Sequence, residues 1–299
     1  MLRFDTAAAT DQGQRDYQED ALVYDFVDGS PLGFAVVADG MGGHAAGDKA
    51  SQIAIQTAFG DLRQLRTSSA IDKEYPEHLE KTLACANAKI KDHGDKNPTT
   101  AGMGTTFVAT LVSEGRLYWV SVGDSPLYLF RNGALQQLNE DHSLAPQIDL
   151  LVASGMMSPE DGRDHPDRNV LTSVLVGNDV PKIDCPKRSL ELIEGDILLI
   201  ASDGLQTLDH AQIESTVHRL RNQSSSDIVA QFLRDLKLAD DPDQDNASVI
   251  AIRVLSENSA IKLQSMPSRR SQVRQAPIRI AEFLGNHFHL TPKRRSSSP

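Results

Sequence analysis

Residues 36–47, VVADGMGGHAAG, constrain this chain more than any other stretch. The apolar run from Phe34 to Ala38 has the length and composition of a buried strand. It stops at Asp39 and passes directly into glycines at 40, 42, 43 and 47. A carboxylate at the end of a packed strand is held rigidly, and the glycines after it let the backbone aim a carbonyl at an ion. A single Asp-Gly is equally an ordinary turn. Three other apolar strands also meet acids, at Glu19 and Asp20, at Asp203-Gly204 and at Asp245-Asn246. Four separated acidic strand ends predict one shared metal site. Hard oxygen ligands without a His or Cys cluster favour Mg²⁺ or Mn²⁺ over zinc or copper.

The rest of the sequence supplies a body large enough to hold such a site. At 299 residues the chain can form one large domain or two ordinary ones, and 39% hydrophobic with 24% charged residues is a globular composition. No apolar run approaches the roughly 20 residues that cross a bilayer, and MLRFDTAAAT lacks an apolar signal core, so a cytoplasmic location is expected. Cys85 and Cys185 have no metal or redox spacing, which fits a reducing compartment and idle thiols. The net charge of −11 is uneven: residues 256–299 hold eight Lys or Arg against two Glu, a net of +6, leaving −17 on residues 1–255. An acidic body argues against nucleic acid as a ligand. The expected division is a folded body over 1–255 and a basic Ser/Pro/Arg-rich tail over 256–299.

Taken in order, residues 3–11, 20–28 and 32–39 read as strands, and 48–65 and 76–93 as amphipathic helices. Strands over 105–112, 116–122, 126–131 and 135–138 follow, and Asn132-Gly133 between the last two is a strong hairpin signal. These four predict an antiparallel meander. Residues 140–180 interrupt the pattern with a helix at 144–153 and the polar segment SPEDGRDHPDRN; an insertion of this kind sits on the surface and shapes access to a site. A buried strand over 196–201, helices at 210–220 and 226–238, and a strand over 247–254 complete the body. Two helices from each half around many antiparallel strands predict an α+β fold, a sheet sandwich with helices on both faces.

Two divalent ions about 3.5–4 Å apart can share a carboxylate and hold a hydroxide poised for in-line attack on phosphorus. Such a site needs a cation to grip the other phosphate oxygens. Arg15, four residues before Glu19, suits that role because guanidinium binds two oxygens at once.

The motifs RDYQED (15–20), VVADGMGGHAAG (36–47), GMGTT (102–106), VGDS (122–125), NEDHSL (139–144), ASDGL (201–205) and DQDNAS (243–248) occur in an order that resembles metal-dependent protein phosphatases of the type 2C family, in its bacterial form. The resemblance covers roughly residues 5–254. It implies a four-layer α-β-β-α sandwich with two antiparallel sheets between helical layers. The implied activity is hydrolysis of phosphoserine and phosphothreonine in proteins, opposing a serine/threonine kinase in signalling, by a monomer. By the same resemblance Asp39 bridges two Mn²⁺ or Mg²⁺ ions and the Gly40 carbonyl binds one of them. Asp203 and Asp245 complete the coordination of the other ion, Glu19 and Asp20 lie by the first ion, Asp124 with Asp203 holds a third, weaker ion, and Arg15 binds phosphate.

The sequence also departs from the family. Pro126 stands where an arginine often follows Gly-Asp-Ser, Gln18 stands where Asn is common, and Ser173 and Val174 stand in a segment where many members have Arg. None of these removes a ligand. Met41 occupies the place of a histidine found in animal members, and His44 lies three residues on. His44 has two readings, a general acid for the leaving alkoxide and a structural histidine capping the next helix. In the tail, residues 278–290 with their flanking arginines are either a solvated extension or an amphipathic segment that touches an anionic membrane or a partner protein.

Overall fold

The computed structural model describes residues 2–256, apart from 28, 29, 31, 43, 44 and 68–71. The tail and His44 therefore lie outside the described residues. In chain order the elements are β1 (Leu2–Asp11), β2 (Ala21–Asp25), β3 (Leu32–Ala38), β4 (Gly40–Met41), α1 (Ala45–Gln64), α2 (Tyr75–Lys96), β5 (Gly104–Thr105), β6 (Phe107–Ser113), β7 (Arg116–Val122), β8 (Leu127–Arg131) and β9 (Ala134–Gln137). Then follow α3 (Ala145–Ala153), α4 (Pro159–Arg163), β10 (Leu190–Glu191), β11 (Ile197–Ala201), α5 (His210–Leu220), α6 (Ser225–Ala239) and β12 (Ala247–Ser256). Among the described residues no helix is long and apolar enough to cross a membrane.

Two five-stranded antiparallel sheets run β1-β12-β11-β8-β9 and β10-β7-β6-β3-β2, and β4 pairs with β5 beside them. Alternation along each inner strand explains how they stack. In β3, Phe34, Val36 and Ala38 pack with Ala50, Ala54, Leu79 and Leu83 of α1 and α2, whereas Ala35 and Val37 face the other sheet. In β11, Ile197, Leu199 and Ala201 pack with Ile213, Val217, Ile228 and Phe232 of α5 and α6, whereas Leu198 and Ile200 join Ala35 and Val37 between the sheets. Strands covered on both faces need apolar residues at every position, which is why these two read as continuous hydrophobic runs. The layers are α1/α2, sheet, sheet, α5/α6, as the resemblance implies. Both outer helices α5 and α6 begin in capping boxes, Asp209 with Gln212 and Ser224 with Asp227.

The expected meander is corrected. The turns at Glu114-Gly115 and Asn132-Gly133 do adopt positive φ at both central residues and close the β6–β7 and β8–β9 hairpins. Between them, however, the chain leaves one sheet and enters the other, so β7 and β8 are not paired. Both strands are buried along nearly their whole length, and a flat meander would leave one face of each without cover. Gly123, at φ +99°, turns the chain at the crossing, and its Cα packs against Thr106, where a Cβ would collide. The polar segment at 158–169 also contains helix α4, begun by Ser158 accepting from the Asp161 amide at 3.0 Å. Ser158-Pro-Glu-Asp161 carries that N-cap signature in the sequence.

Candidate active site

Strand registers alone bring the acids to one end of the sandwich. Ala21 pairs with Ala38, so Asp20 before β2 lies beside Asp39 after β3. Ala201 pairs with Val249, so Asp203 beyond β11 lies beside Asp245 ahead of β12. Phe107 pairs with Val122, and this places Asp124 at the same end. Each of these acids sits just beyond one end of a strand whose packing fixes its direction.

Local hydrogen bonds hold each one. The Asp39 amide donates to Thr106 Oγ1 at 3.0 Å, and its carbonyl accepts from the Thr106 amide and from Thr105 Oγ1, both at 2.8 Å. Asp39 thus has its main chain fastened on both sides. Asp20 is buried, and its Oδ2 accepts from Ser202 Oγ at 2.7 Å. Asn246, also buried, accepts the Glu19 amide at 2.7 Å and donates to Gln12 O at 2.8 Å and Tyr17 O at 3.0 Å. One side chain therefore ties the loop carrying Arg15 and Glu19 to the start of β12. The Gly40 amide donates to Glu19 O at 3.2 Å, and Gly40 packs so closely on Gly47 and Glu19 that a Cβ at residue 40 would overlap both.

The same crowding raises the carboxyl groups' proton affinity. Burial pushes Asp39 well above the usual carboxylate range, helped by Asp20, Asp203 and Asp124 nearby. Burial also raises Asp20 to about 7, against hydrogen bonding from Ser202 that pulls it down, and raises Asp124 to about 7 with Asp203 and Asp141 adding to the effect. Asp203 is raised by burial too, although a hydrogen bond from Asp39 and the charge of Arg15 oppose this. Carboxylates this close and this desolvated do not all ionise by themselves. A divalent cation removes the conflict.

The donor set fits such ions. Asp20 Oδ1 and Asp203 Oδ1 are buried and have no hydrogen-bond partner among the described residues, an expensive arrangement for acceptors unless something else satisfies them. All the convergent donors are oxygens, the choice of Mg²⁺ and Mn²⁺. Among the described residues no three acids are yet closed around a common point at ligand spacing.

Arg15 Nη2 donates to Asp245 Oδ2 at 2.6 Å, with the two side chains 57% and 40% exposed. A pair so open to solvent is worth at most about 1 kcal/mol, so an incoming dianion can replace Asp245 as the partner of the guanidinium. Arg15, Asp124, Asp203 and Asp245 line one end of a cleft of about 710 Å³. The insertion supplies part of another wall through Asp149 and Arg168, which form a two-bond pair at 2.7 and 3.1 Å. The insertion does border the cleft, as expected of it.

Thr106, Ser202 and Asn246 were not singled out from the sequence as site residues. Thr106 and Asn246 lie inside the quoted motifs GMGTT and DQDNAS, and Ser202 directly precedes Asp203; those positions were the available signal. Gln18 has work of its own: it donates to Asp11 O at 3.1 Å and accepts the Asp20 amide at 2.9 Å, shaping the turn into β2.

Gly204 gives a sharp local test. A Cβ there would overlap the Asn246 carbonyl oxygen and come within 2.8 Å of its carbon, both backbone atoms that cannot swing aside. Gly204→Ala is expected to separate Asp203 from Asp245 and to cost on the order of a hundredfold in kcat/KM, the scale of a displacement of about 1 Å. Wild-type kinetics for this variant would show that the spacing of the two acids is unimportant.

The comparisons with known proteins bear on the family and the fold. The family model for protein phosphatase 2C matches residues 12–240. The serine/threonine phosphatase stp of Listeria monocytogenes serotype 4b is 35% identical over 201 residues, covering 67% of this chain and 77% of the relative. The crystal structure of the Mycobacterium tuberculosis serine/threonine phosphatase PstP/Ppp superimposes with a TM-score of 0.70 at 28% identity, covering 85% of this chain and 99% of that one. A structure of the PstP catalytic domain in complex with two manganese ions has a TM-score of 0.70 at 26% identity, over 86% of this chain and 100% of that one. The fold and the converging acids define a metal-dependent phosphatase body. The chain belongs to the protein phosphatase 2C family.

Proposed function

We propose that this protein is a serine/threonine phosphatase that removes phosphate from phosphoserine and phosphothreonine in protein substrates, with Mn²⁺ or Mg²⁺ as cofactor. The observation that carries this reading is the convergence of acids from separate strand ends: Asp124, Asp203 and Asp245 line one cleft with Arg15, and the buried Asp39 and Asp20 lie beside Asp203. Divalent ions, when bound, act as Lewis acids that activate water and neutralise phosphoryl oxygens. Asp39 and the Gly40 carbonyl, with Glu19 and Asp20, would hold one ion; Asp39, Asp203 and Asp245 would hold the other; Asp124 and Asp203 would hold a weaker third.

The remaining tasks fall to the protein itself. Thr105 and Thr106 keep the Asp39 main chain from moving as charge develops, so reorganisation is avoided at the moment of reaction. Arg15 exchanges Asp245 for the substrate phosphate and orients the phosphorus for in-line attack. The cleft, of about 710 Å³, is lined in part by Asp149 and Arg168 of the 145–170 insertion. His44 is the proposed proton donor to the departing serine or threonine oxygen. Cys185, whose thiol burial pushes up to about 12, and Cys85 are free thiols, which supports a reducing, cytoplasmic setting. The charge contrast in the sequence supports a catalytic body ending near residue 255.

The test is hydrolysis of para-nitrophenyl phosphate and of a phosphothreonine peptide by the intact chain, with Mn²⁺ and with excess chelator. Turnover of both substrates with Mn²⁺, abolished by chelator and restored by more Mn²⁺, is expected. Metal-independent turnover, or none under any divalent ion, would reject the reading. In the same assay His44→Ala should lose far more rate on the peptide, because nitrophenolate departs without a proton.

A further inference from the structure

The NEDHSL motif at 139–144 has no part in the ligand set, yet it grips the chain crossing that carries Asp124. Asn139 is buried against one flank: its Nδ2 donates to Ser125 O at 3.0 Å and Ser121 Oγ at 3.3 Å, and its Oδ1 accepts from the Leu127 amide at 2.7 Å. His142, also buried, takes the other flank. The Gly123 amide donates to His142 Nδ1 at 3.3 Å, and the His142 amide donates to Gly123 O at 3.1 Å. Both polar groups of Gly123 thus belong to one residue. Because Nδ1 is the acceptor, the neutral ring carries its proton on Nε2.

His142 also faces away from the site, toward the insertion. Its carbonyl accepts from the Thr172 amide at 2.7 Å and from Thr172 Oγ1 at 2.8 Å. The Leu144 amide donates to Val170 O at 3.0 Å. These bonds close the base of the insertion that brings Asp149 and Arg168 to the cleft. On the inner side, Ser125 Oγ lies 2.7 Å from Thr106 Oγ1, which holds the Asp39 amide. A chain of hydrogen bonds runs from Asp39 through the Asp124 crossing to the insertion.

We propose that Asn139 and His142 are positioning residues that set Asp124 and couple its placement to the seating of the 145–170 insertion. This rests on the reading of Asp124 as a metal ligand. A neutral crossing loop held by only its own turn would let the carboxylate wander, and an ion bound by few protein ligands depends on that carboxylate being fixed in advance. Neither residue touches substrate, so their effect is indirect.

The experiment compares intact wild-type, Asp124→Ala, His142→Leu and His142→Asn chains. Two quantities are read: Mn²⁺ binding by titration calorimetry, and amide exchange at Gly123 without metal. His142→Leu keeps the volume but deletes the acceptor; His142→Asn keeps an oxygen acceptor at the Nδ1 position. The Mn²⁺ site that Asp124→Ala abolishes should weaken by about tenfold or more in His142→Leu and by much less in His142→Asn, the range usual for residues that support metal ligands. Sites that survive Asp124→Ala should keep their affinity. Gly123 exchange should accelerate in His142→Leu alone. Unchanged binding and exchange in His142→Leu, or equal damage in His142→Asn, would overturn the proposal. Should His142→Leu not fold, Thr172→Val decides: it is expected to raise KM for a phosphopeptide severalfold while leaving para-nitrophenyl phosphate kinetics alone, and unaltered peptide kinetics would count against the coupling. Gly123 exchange is read without metal or substrate, so failure of the clamp is distinguishable from failure of the phosphatase reading, which shows as a wild-type chain inactive with Mn²⁺.

Discussion

Asp39→Asn is expected to lower Mn²⁺-dependent phosphatase turnover by on the order of a thousandfold while leaving the metal-free protein folded. The magnitude follows from what the carboxylate would hold. A metal ion in such a site supplies several kcal/mol of transition-state stabilisation, and each 1.36 kcal/mol is a factor of ten in rate. Asn is nearly the same size, so Thr105 and Thr106 can still fasten the residue-39 backbone. In the metal-free chain, Asp39 is the partner whose proton is favoured by its hydrogen bond with Asp203. An Asn amide donates that bond permanently. The melting temperature without metal should therefore hold or rise, whereas the gain in melting temperature on adding Mn²⁺ should shrink sharply. Retention of more than a tenth of wild-type activity would remove Asp39 from the centre of the site.

The second large effect concerns pH. Asp20 and Asp124 have an ordinary value of 3.8 and a folded value of about 7. Between these values the folded chain keeps protons that the unfolded chain has released. Stability from these groups is complete below about 3.8 and declines as pH rises to about 7, where both states are ionised. His142 runs the other way: burial lowers its proton affinity from the ordinary 6.5, so its contribution is present above 6.5 and fades as pH falls toward the folded value. A comparison confined to pH 6.5 and above reads the raised acids of the site, Asp20 and Asp124 together with Asp39 and Asp203, whose proton affinity burial also lifts. Metal-free protein is expected to melt lower at pH 8 than at pH 6.5, with each pH unit worth up to about 1.4 kcal/mol per proton. Mn²⁺ has the opposite trend, since binding must expel those protons: its affinity should rise with pH by up to about tenfold per unit per proton released. The calorimetric enthalpy at pH 6.5 should vary with the ionisation enthalpy of the buffer. A buffer-independent enthalpy there would mean that the acids are already ionised.

These expectations could be framed from the sequence only in part. Asp39 and Asp203 stand out because each follows a run that is apolar at every position, a consequence of strands covered on both faces by a helix layer and a second sheet, and Asp245 because it precedes a strand buried along nearly its whole length. The Asn132-Gly133 hairpin was legible for the same local reason. The crossing at Gly123 to Pro126 was not, because whether two consecutive buried strands pair or part depends on what covers their faces, and that is decided far along the chain. Asn246, Thr106 and Ser202 were equally hard to weigh. Asn246 acts on Glu19 across 227 positions and Thr106 on Asp39 across 67, and a neutral polar residue in a turn carries no mark of such a partner. Arg15 could be assigned a phosphate by its chemistry, but its present ion pair with Asp245 follows from register, where Asp11 of β1 lies opposite Ala247 of β12.

The central claim is that acids from distant strand ends seat divalent ions beside Arg15. Anomalous diffraction from a crystal of the intact chain grown with Mn²⁺ tests it most directly. Two strong peaks flanking the Asp39 carboxylate, one of them also touching Asp203 and Asp245, are the predicted result. Peaks confined to other surfaces, with Asp39 and Asp203 still hydrogen-bonded to each other, would contradict it.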